Sequence, residues 1–365
     1  MILHITNDFC GSKVYRNLFL ALERQGLDQI VYTAVKDKIT LPEKLLTNYT
    51  IVHRQILTSL MRINFYYKRK TIYNDLINNI ELEKVGLIHA HTWYSDGAIA
   101  LKLFKEYGIP YVVTIRNTDI NIFYKYMFHL RQLGRDILKN AKHIIFISAA
   151  HAIRLKPLIR SISVPFDVIP NGIDEFWLNN ISIKKDFASK IFNLIYVGKF
   201  DKGKNVPRLI EAVIKLNNEQ KNMKYNLTIV GGEGKDTNKI KKLIKDHASE
   251  IKWIGQVNDL HKLKDAYSHS DAFAMPSLAE TFGLVYVEAM TQGLPVLYSK
   301  GEGIDGFFDK SYGIACNPKN VDNIKQCIER ISHEYQSFKI DTNRLKKQFN
   351  WNNIAKSYVS NIYEI

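Results

Sequence analysis

Short runs rich in β-branched and aromatic residues recur along the chain, each followed by residues with helical periodicity. In the first half the runs are Met1–Thr6, Gln29–Ala34, Gly86–Ala90, Tyr111–Ile115, His143–Ser148 and Val168–Pro170. After residue 190 the rhythm restarts with Leu194–Gly198, Asn226–Gly231, Ile251–Gly255, Ala272–Pro276, Pro295–Ser299 and Gly313–Cys316. Continuously apolar strands spaced by helices predict parallel sheets buried on both faces, and hence two doubly wound α/β domains. The turn-forming cluster Pro170-Asn171-Gly172-Ile173-Asp174 sets the boundary, followed by a segment read as irregular from Trp177 to Phe187. The expected division is residues 1–170 and residues 171–349, with an interdomain cleft. A last helix, about residues 350–365, shows an apolar stripe at Trp351, Ile354, Ala355, Tyr358 and Ile362 and is expected to return to the first domain.

A length of 365 residues fits this two-domain division. Three scattered cysteines, Cys10, Cys316 and Cys327, suit a reducing compartment and neither a disulfide framework nor a zinc site. The start of the chain lacks the basic and apolar pattern of a secretion signal, and no apolar run approaches the ~18 residues of a membrane span, so a cytoplasmic protein is expected. Charge adds a constraint: 51 Lys and Arg against 36 Asp and Glu give +15, spread evenly as +8 on residues 1–180 and +7 on residues 181–365. Nucleotides, phospholipids and nucleic acid all suit such a balance.

The most informative stretch runs from Pro276 to Met290, with Glu280 and Glu288 eight positions apart. A helix is predicted to begin near Phe282 or Gly283, so its unpaired amides and positive dipole end would suit a phosphate. Taken singly, either glutamate reads as well as a capping acid or a solvated helix carboxylate.

With its surroundings, this stretch resembles the E-x7-E signature of the family 4 retaining glycosyltransferases, whose GT-B fold has two facing Rossmann-like domains. Tyr196-Val197-Gly198-Lys199-Phe200-Asp201-Lys202-Gly203-Lys204-Asn205 is similar to the family's diphosphate-binding loop. Ile169 to Asp174, Ile229 to Gly234, Trp253 to Val257 and the Phe349-Asn350-Trp351 helix agree in order and spacing. The resemblance implies that Glu280 binds hydroxyls of the transferred sugar and that the amides around Thr281, Phe282, Gly283 and Leu284 hold the distal phosphate. Glu288 would take the ribose hydroxyls. Lys199 and Lys204 would neutralise the diphosphate leaving group, so neither metal nor cofactor is expected. For two lysines in so basic a chain, the competing reading is a solvated loop.

In the first domain the resemblance is thinner. Gly11, in Cys10-Gly11-Ser12, stands where the family has a glycine-rich loop, whose amides would approach the donor phosphate or the acceptor. His91 ends a strand where an acceptor contact is expected, although a core histidine is the alternative. Arg116 occupies the place where many members carry a donor-contacting histidine. Val257 would pack on the base, and the amide of Asn258, where guanine-specific members have an acid, favours UDP over GDP.

The segments Met61 to Lys70 and Phe123 to Arg131 mix aromatics with cations, which suggests peripheral contact with an anionic membrane or a lipid-linked acceptor. The competing reading is a core with snorkelling cations. The function these readings imply is transfer of a sugar from a nucleoside-diphosphate donor to a saccharide or lipid-linked saccharide, as in bacterial surface polysaccharide synthesis. The rival readings are a sugar-nucleotide epimerase or phosphorylase of the same fold, and a basic nucleic-acid-binding protein. The last would need a recognisable nucleic-acid fold, and no nucleic-acid partner is expected.

Overall fold

The computed structural model describes residues 1–36, 39–41, 47–62, 64–183, 186–187, 189–220 and 222–363, so Ile63, residues 184–185 and residues 364–365 of the segments named above lie outside the described residues. The chain forms two units. Unit 1 comprises Met1–Ile147, Ala152–Gly172 and Trp351–Ile365; unit 2 comprises Ser148–His151 and Ile173–Asn350.

Unit 1 holds a parallel sheet of β1 (Ile2–Ile5), β2 (Gln29–Lys36), β3 (Thr50–Leu57), β4 (Leu87–Ala90), β5 (Tyr111–Ile115), β6 (His143–Phe146) and β7 (Phe166–Val168) in the order β3-β2-β1-β4-β5-β6-β7. The strand period of two divides its apolar residues between two faces. Ile2, Val31, Leu87, Val112 and Ile145 pack beneath the helices Lys13–Glu23 and Trp351–Ser357. Leu3, Ile88, Val113 and Ile144 pack with Ile72, Leu76, Ile99, Leu103 and Ile137 on the other side. All five residues of the predicted C-terminal stripe are buried in the first of these clusters.

Unit 2 holds a second parallel sheet: β8 (Ile191–Val197), β9 (Lys224–Val230), β10 (Ile251–Trp253), β11 (Ala272–Ala274), β12 (Val296–Ser299) and β13 (Gly313–Cys316), ordered β10-β9-β8-β11-β12-β13. Every predicted run overlaps a strand, although the run Val168–Pro170 shares only Val168 with β7. The unpredicted one, β3, is an edge strand whose residues are all partly or fully exposed; its polar His53, Arg54 and Gln55 lack the continuous apolar signature of its neighbours. A second departure concerns the segment read as irregular: a short helix, Glu175–Asn179, begins it, because Asp174 caps the Phe176 amide at 2.9 Å.

In each sheet the strand order reverses direction once, between β1 and β4 and between β8 and β11. Loops leaving such a pair at their carboxyl ends diverge to opposite faces and open a crevice, where ligands of this architecture bind. In unit 2 the neighbouring strand ends close tightly. The Gly198 amide donates to Val230 O at 2.9 Å and the Gly231 amide to Gly255 O at 2.8 Å. A Cβ on Gly231 would lie 1.8 Å from Gly198 O, so only glycine permits this approach. Gly231→Ala should destabilise the protein by about 1–3 kcal/mol, the usual cost of overpacking, measured as a lower urea midpoint with unchanged m value.

Candidate active site

The loops leaving β8 and β11 at the switch point of unit 2 are tied together by three contacts, and a fourth ties the β8 loop to the chain leaving β13. Leu278 N–H donates to Gly203 O at 2.7 Å. The amide of Asn205 donates to Pro276 O at 2.9 Å and to Pro318 O at 2.7 Å. Lys204 Nζ meets Glu280 Oε2 at 2.5 Å. Asn205 holds this bend with φ of +60°, a left-handed conformation that asparagine tolerates better than most side chains, and it is buried. Lys199 is exposed, with its carbonyl accepting from Tyr196 OH at 3.0 Å.

The Glu280 side chain is only 10% exposed and that of Lys204 29%, so this pair is shielded from solvent more than an ordinary surface pair. The second carboxylate oxygen of Glu280 accepts from the Thr281 amide at 3.0 Å. From the loop after β12, Glu302 Oε2 accepts the Glu280 amide at 3.0 Å, and the Gly303 amide donates to Glu280 O at 3.2 Å. Glu280 is thereby fixed from both sides. Sequence reasoning passed over Glu302, whose signal was its place between Gly301 and Gly303, both at positive φ.

The helix predicted near Phe282 or Gly283 runs over Leu284–Thr291; Gly283, at φ +81°, turns the chain into it, and no side chain caps its first turn. A Cβ on Gly283 would approach the Tyr286 ring to 2.5 Å. Phe282 is buried against Phe307 and Phe349. The geometry therefore leaves an open helix N-terminus beside Glu280, with positive dipole and unsatisfied amides. Further along this helix Glu288 is half-buried. Burial, and then the negative charge of Asp174, pushes its carboxyl up to about 7. Val257 is half-buried on the unit 2 core, and exposed Asn258 accepts from Gln256 Nε2 at 2.8 Å.

In unit 1 the residues predicted for the site follow β1, β4 and β5. Gly11 lies in the turn after β1, its amide donating to Asp8 O at 3.1 Å, while Ser12 caps the Lys13–Glu23 helix. Arg116 lies over the Tyr15 ring, 4.7 Å from its centroid, and its Nε donates to His91 O at 2.9 Å. His91 is fully buried and its Nε2 contacts His4 Nδ1 at 3.0 Å. Burial, reinforced by the His89, His4 and Arg116 charges, holds its ring well below the ordinary histidine range, so it is neutral.

Two buried acids escaped sequence reasoning. Asp119 accepts the amides of Trp93, Tyr94 and Arg116 at 3.0, 3.1 and 2.9 Å, and burial pushes it up to about 6 against those donors. Asp96 accepts from Asn7 Nδ2 at 2.7 Å and is pushed up to about 7, again chiefly by burial. Asp96 Oδ2, Asn7 Oδ1 and His91 Nδ1 have no protein partner among the described residues. Buried polar atoms left open in this way are costly unless water or ligand completes them.

His4, His89 and His91 are also close enough together to suggest a metal site. Yet His4 and His91 bond each other, and His89 spends both ring nitrogens on Tyr363 OH and Thr114 Oγ1, each at 2.7 Å. With His89 fully committed, only His4 Nε2 and His91 Nδ1 are left without a protein partner among the described residues, and two imidazole nitrogens are too few to hold a metal ion.

Two sequence families match successive parts of the chain: "Glycosyltransferase Family 4" over residues 11–175 and "Glycosyl transferases group 1" over residues 179–350. The chain is 24% identical over 291 residues to the putative teichuronic acid biosynthesis glycosyltransferase TuaC of Bacillus subtilis, covering 77% of this chain and 67% of that one. It is 27% identical over 278 residues to the alpha-monoglucosyldiacylglycerol synthase of Acholeplasma laidlawii, covering 67% and 66%. In fold it is similar to sucrose-phosphate synthase from Thermosynechococcus elongatus, with a TM-score of 0.75, 20% identity and coverage of 98% and 96%.

The raised Glu288 carboxyl gives a pH signature. The folded protein keeps a proton that the unfolded chain releases near the ordinary value of 4.5, so stability falls as pH rises from about 4.5 to about 7. Glu288→Gln should flatten that part of the stability curve, measured by urea unfolding at several pH values across the window.

Proposed function

Because the chain belongs to the family 4, group 1 glycosyltransferases, and so is a sugar-transferring enzyme of the GT-B type, we propose that it uses a nucleoside-diphosphate sugar, with UDP favoured over GDP, and transfers the sugar with retention of configuration. The observation that carries this reading is the Lys204–Glu280 pair beside an uncapped helix N-terminus at the switch point of unit 2. In the free protein lysine and carboxylate neutralise each other. A bound sugar diphosphate would put phosphate on Lys204 and sugar hydroxyls on Glu280, so that both charges remain compensated while the leaving group gains a cation.

In this reading the bond between the anomeric carbon and the terminal phosphate oxygen breaks as an acceptor hydroxyl attacks from the same face. The departing phosphate oxygen takes the hydroxyl proton. Lys199, Lys204 and the first-turn amides from Phe282 to Leu284 stabilise the charge that builds on the diphosphate. Glu280, fixed by Thr281, Glu302 and Gly303, orients the sugar. Glu288 accepts from the ribose, which favours its ionised form and sets a requirement for pH near or above about 7. Two lysines supplying the charge would serve where a metal ion would otherwise be needed.

The open polar atoms of Asn7, Asp96 and His91 suit the hydroxyls of a saccharide acceptor, with Arg116 alongside. Since the His91 ring and the Asp96 side chain are both buried, the acceptor would meet the half-buried Asn7 and Arg116 side chains first. Relatives named for teichuronic acid and glycolipid synthesis support an acceptor in a surface polysaccharide or a lipid-linked glycan.

A thermal-shift panel with UDP, GDP, ADP and CDP tests the donor reading, since a ligand bound only by the folded state stabilises by RT ln(1 + [L]/Kd). The largest shift is expected with UDP. Lys204→Ala should shrink it for UDP far more than for uridine, and no shift with any nucleotide would overturn the donor site. Glu280→Ala should cut sugar turnover by about 100-fold or more while UDP still binds, the scale seen when one transition-state donor is removed. Turnover close to wild type in that variant would remove Glu280 from the sugar site.

A further inference from the structure

The two aromatic and basic segments of unit 1 come together on one surface. Phe65 begins the helix Phe65–Asn79, and its ring meets Phe123 at 5.9 Å between centroids. Phe123 stacks on Tyr94, one of the residues after β4, at 5.1 Å and 12°. Those inner rings are core. The residues around them are not: Leu60, Tyr66, Tyr67, Tyr126 and Phe128 are 50–77% exposed. Scattered apolar exposure is ordinary, but five large side chains gathered from two segments make a patch.

The charges within these two segments are of one sign. Residues 64–70 and 120–135 contain Lys68, Arg69, Lys70, Lys125, Arg131 and Arg135 and no Asp or Glu. Several of the cations lie over the rings: Arg69 over Tyr66 at 5.3 Å, Lys125 over Tyr126 at 4.9 Å, and Arg131 over Phe128 at 4.3 Å. A soluble partner of mixed charge would leave most of these cations uncompensated. A bilayer surface offers what both features need, an interfacial layer for amphipathic rings and a sheet of phosphates beside it.

We propose that this face of unit 1, formed by Leu60, Tyr66, Tyr67, Tyr126 and Phe128 with the cations around them, docks peripherally on an anionic lipid surface. Tyr94 and Trp93 link the patch to the loop after β4 that also carries Asp96, so docking would bring a membrane-borne acceptor head group to the open polar atoms there. The lipid contact itself does not depend on the donor reading, because none of the patch residues belongs to it.

The test is co-sedimentation of the full chain with vesicles of phosphatidylcholine alone or of phosphatidylcholine with phosphatidylglycerol. Wild type is expected to pellet with the anionic vesicles, to be released by salt, and to stay in solution with the neutral ones. Lys125→Ala should lower the partition coefficient by about fivefold, the equivalent of ~1 kcal/mol per cation near the surface. The double variant Tyr126→Ser and Phe128→Ser, with an unchanged circular dichroism spectrum and an unchanged UDP thermal shift, should lower it further. Equal pelleting with both vesicle types, no pelleting with either, or variants that pellet like wild type would overturn the proposal. So would binding to single-stranded RNA that the same variants abolish in preference to vesicle binding.

Discussion

The candidate site of unit 2 depends on the chain leaving β8 being laced to the chain leaving β11. These strands are neighbours that pair in parallel, and their connections depart to opposite faces, so nothing in the sheet itself keeps the two loops together. Asn205 and the Gly203 carbonyl do that work with hydrogen bonds to Pro276 and Leu278, and Asn205 also ties the loop to Pro318, beyond β13. Only then can Lys204 and Glu280 form an ion pair across the junction. A long lysine on an untethered loop would pay rotamer entropy for each contact, and its exposed pairing would contribute little. Here the backbone is fixed first, and the charges follow.

The same order of causes explains the supporting residues. Glu302 and Gly303 hold the backbone of Glu280, and Gly283 turns the chain so that the next helix begins beside its carboxylate. Each acts through the main chain. Glu288 differs, because its carboxyl is poised near neutrality by burial and by Asp174, and its charge state is set by pH as much as by position. In unit 1, too, burial governs the ionisable groups. It raises Asp96 and Asp119 and keeps the three histidines neutral, so the positive charge there falls to Arg116.

The sequence revealed whatever repeats a pattern. Parallel strands buried on both faces left apolar runs, and the C-terminal stripe of Trp351, Ile354, Ala355, Tyr358 and Ile362 announced a buried helix face. It concealed what depends on a distant partner. Strand β3 is defined by pairing with β2, while its own residues look like loop. Asn205 was visible as a residue but not as the tie between its own loop and two others, since Pro276 and Pro318 lie far along the chain. Asp96 gave no motif because its environment comes from Asn7 and from burial, and neither is written near it. His91 stood at the predicted strand end, but its inward orientation and His4 contact required the fold.

The C-terminal segment of unit 1 has a consequence in time. Residues from Trp351 to Tyr363 cover β1 and its neighbours, and the Tyr363 hydroxyl completes the hydrogen bonding of His89. Everything in unit 2 beyond His151 is synthesised before them. On the ribosome the seven strands of the first sheet therefore emerge early but wait, one apolar face incompletely clothed, until the rest of the polypeptide has been made. A growing chain in that state presents Ile2, Val31, Leu87 and Val112 without their final covering, which makes late elongation the stage at which this protein most needs protection from association.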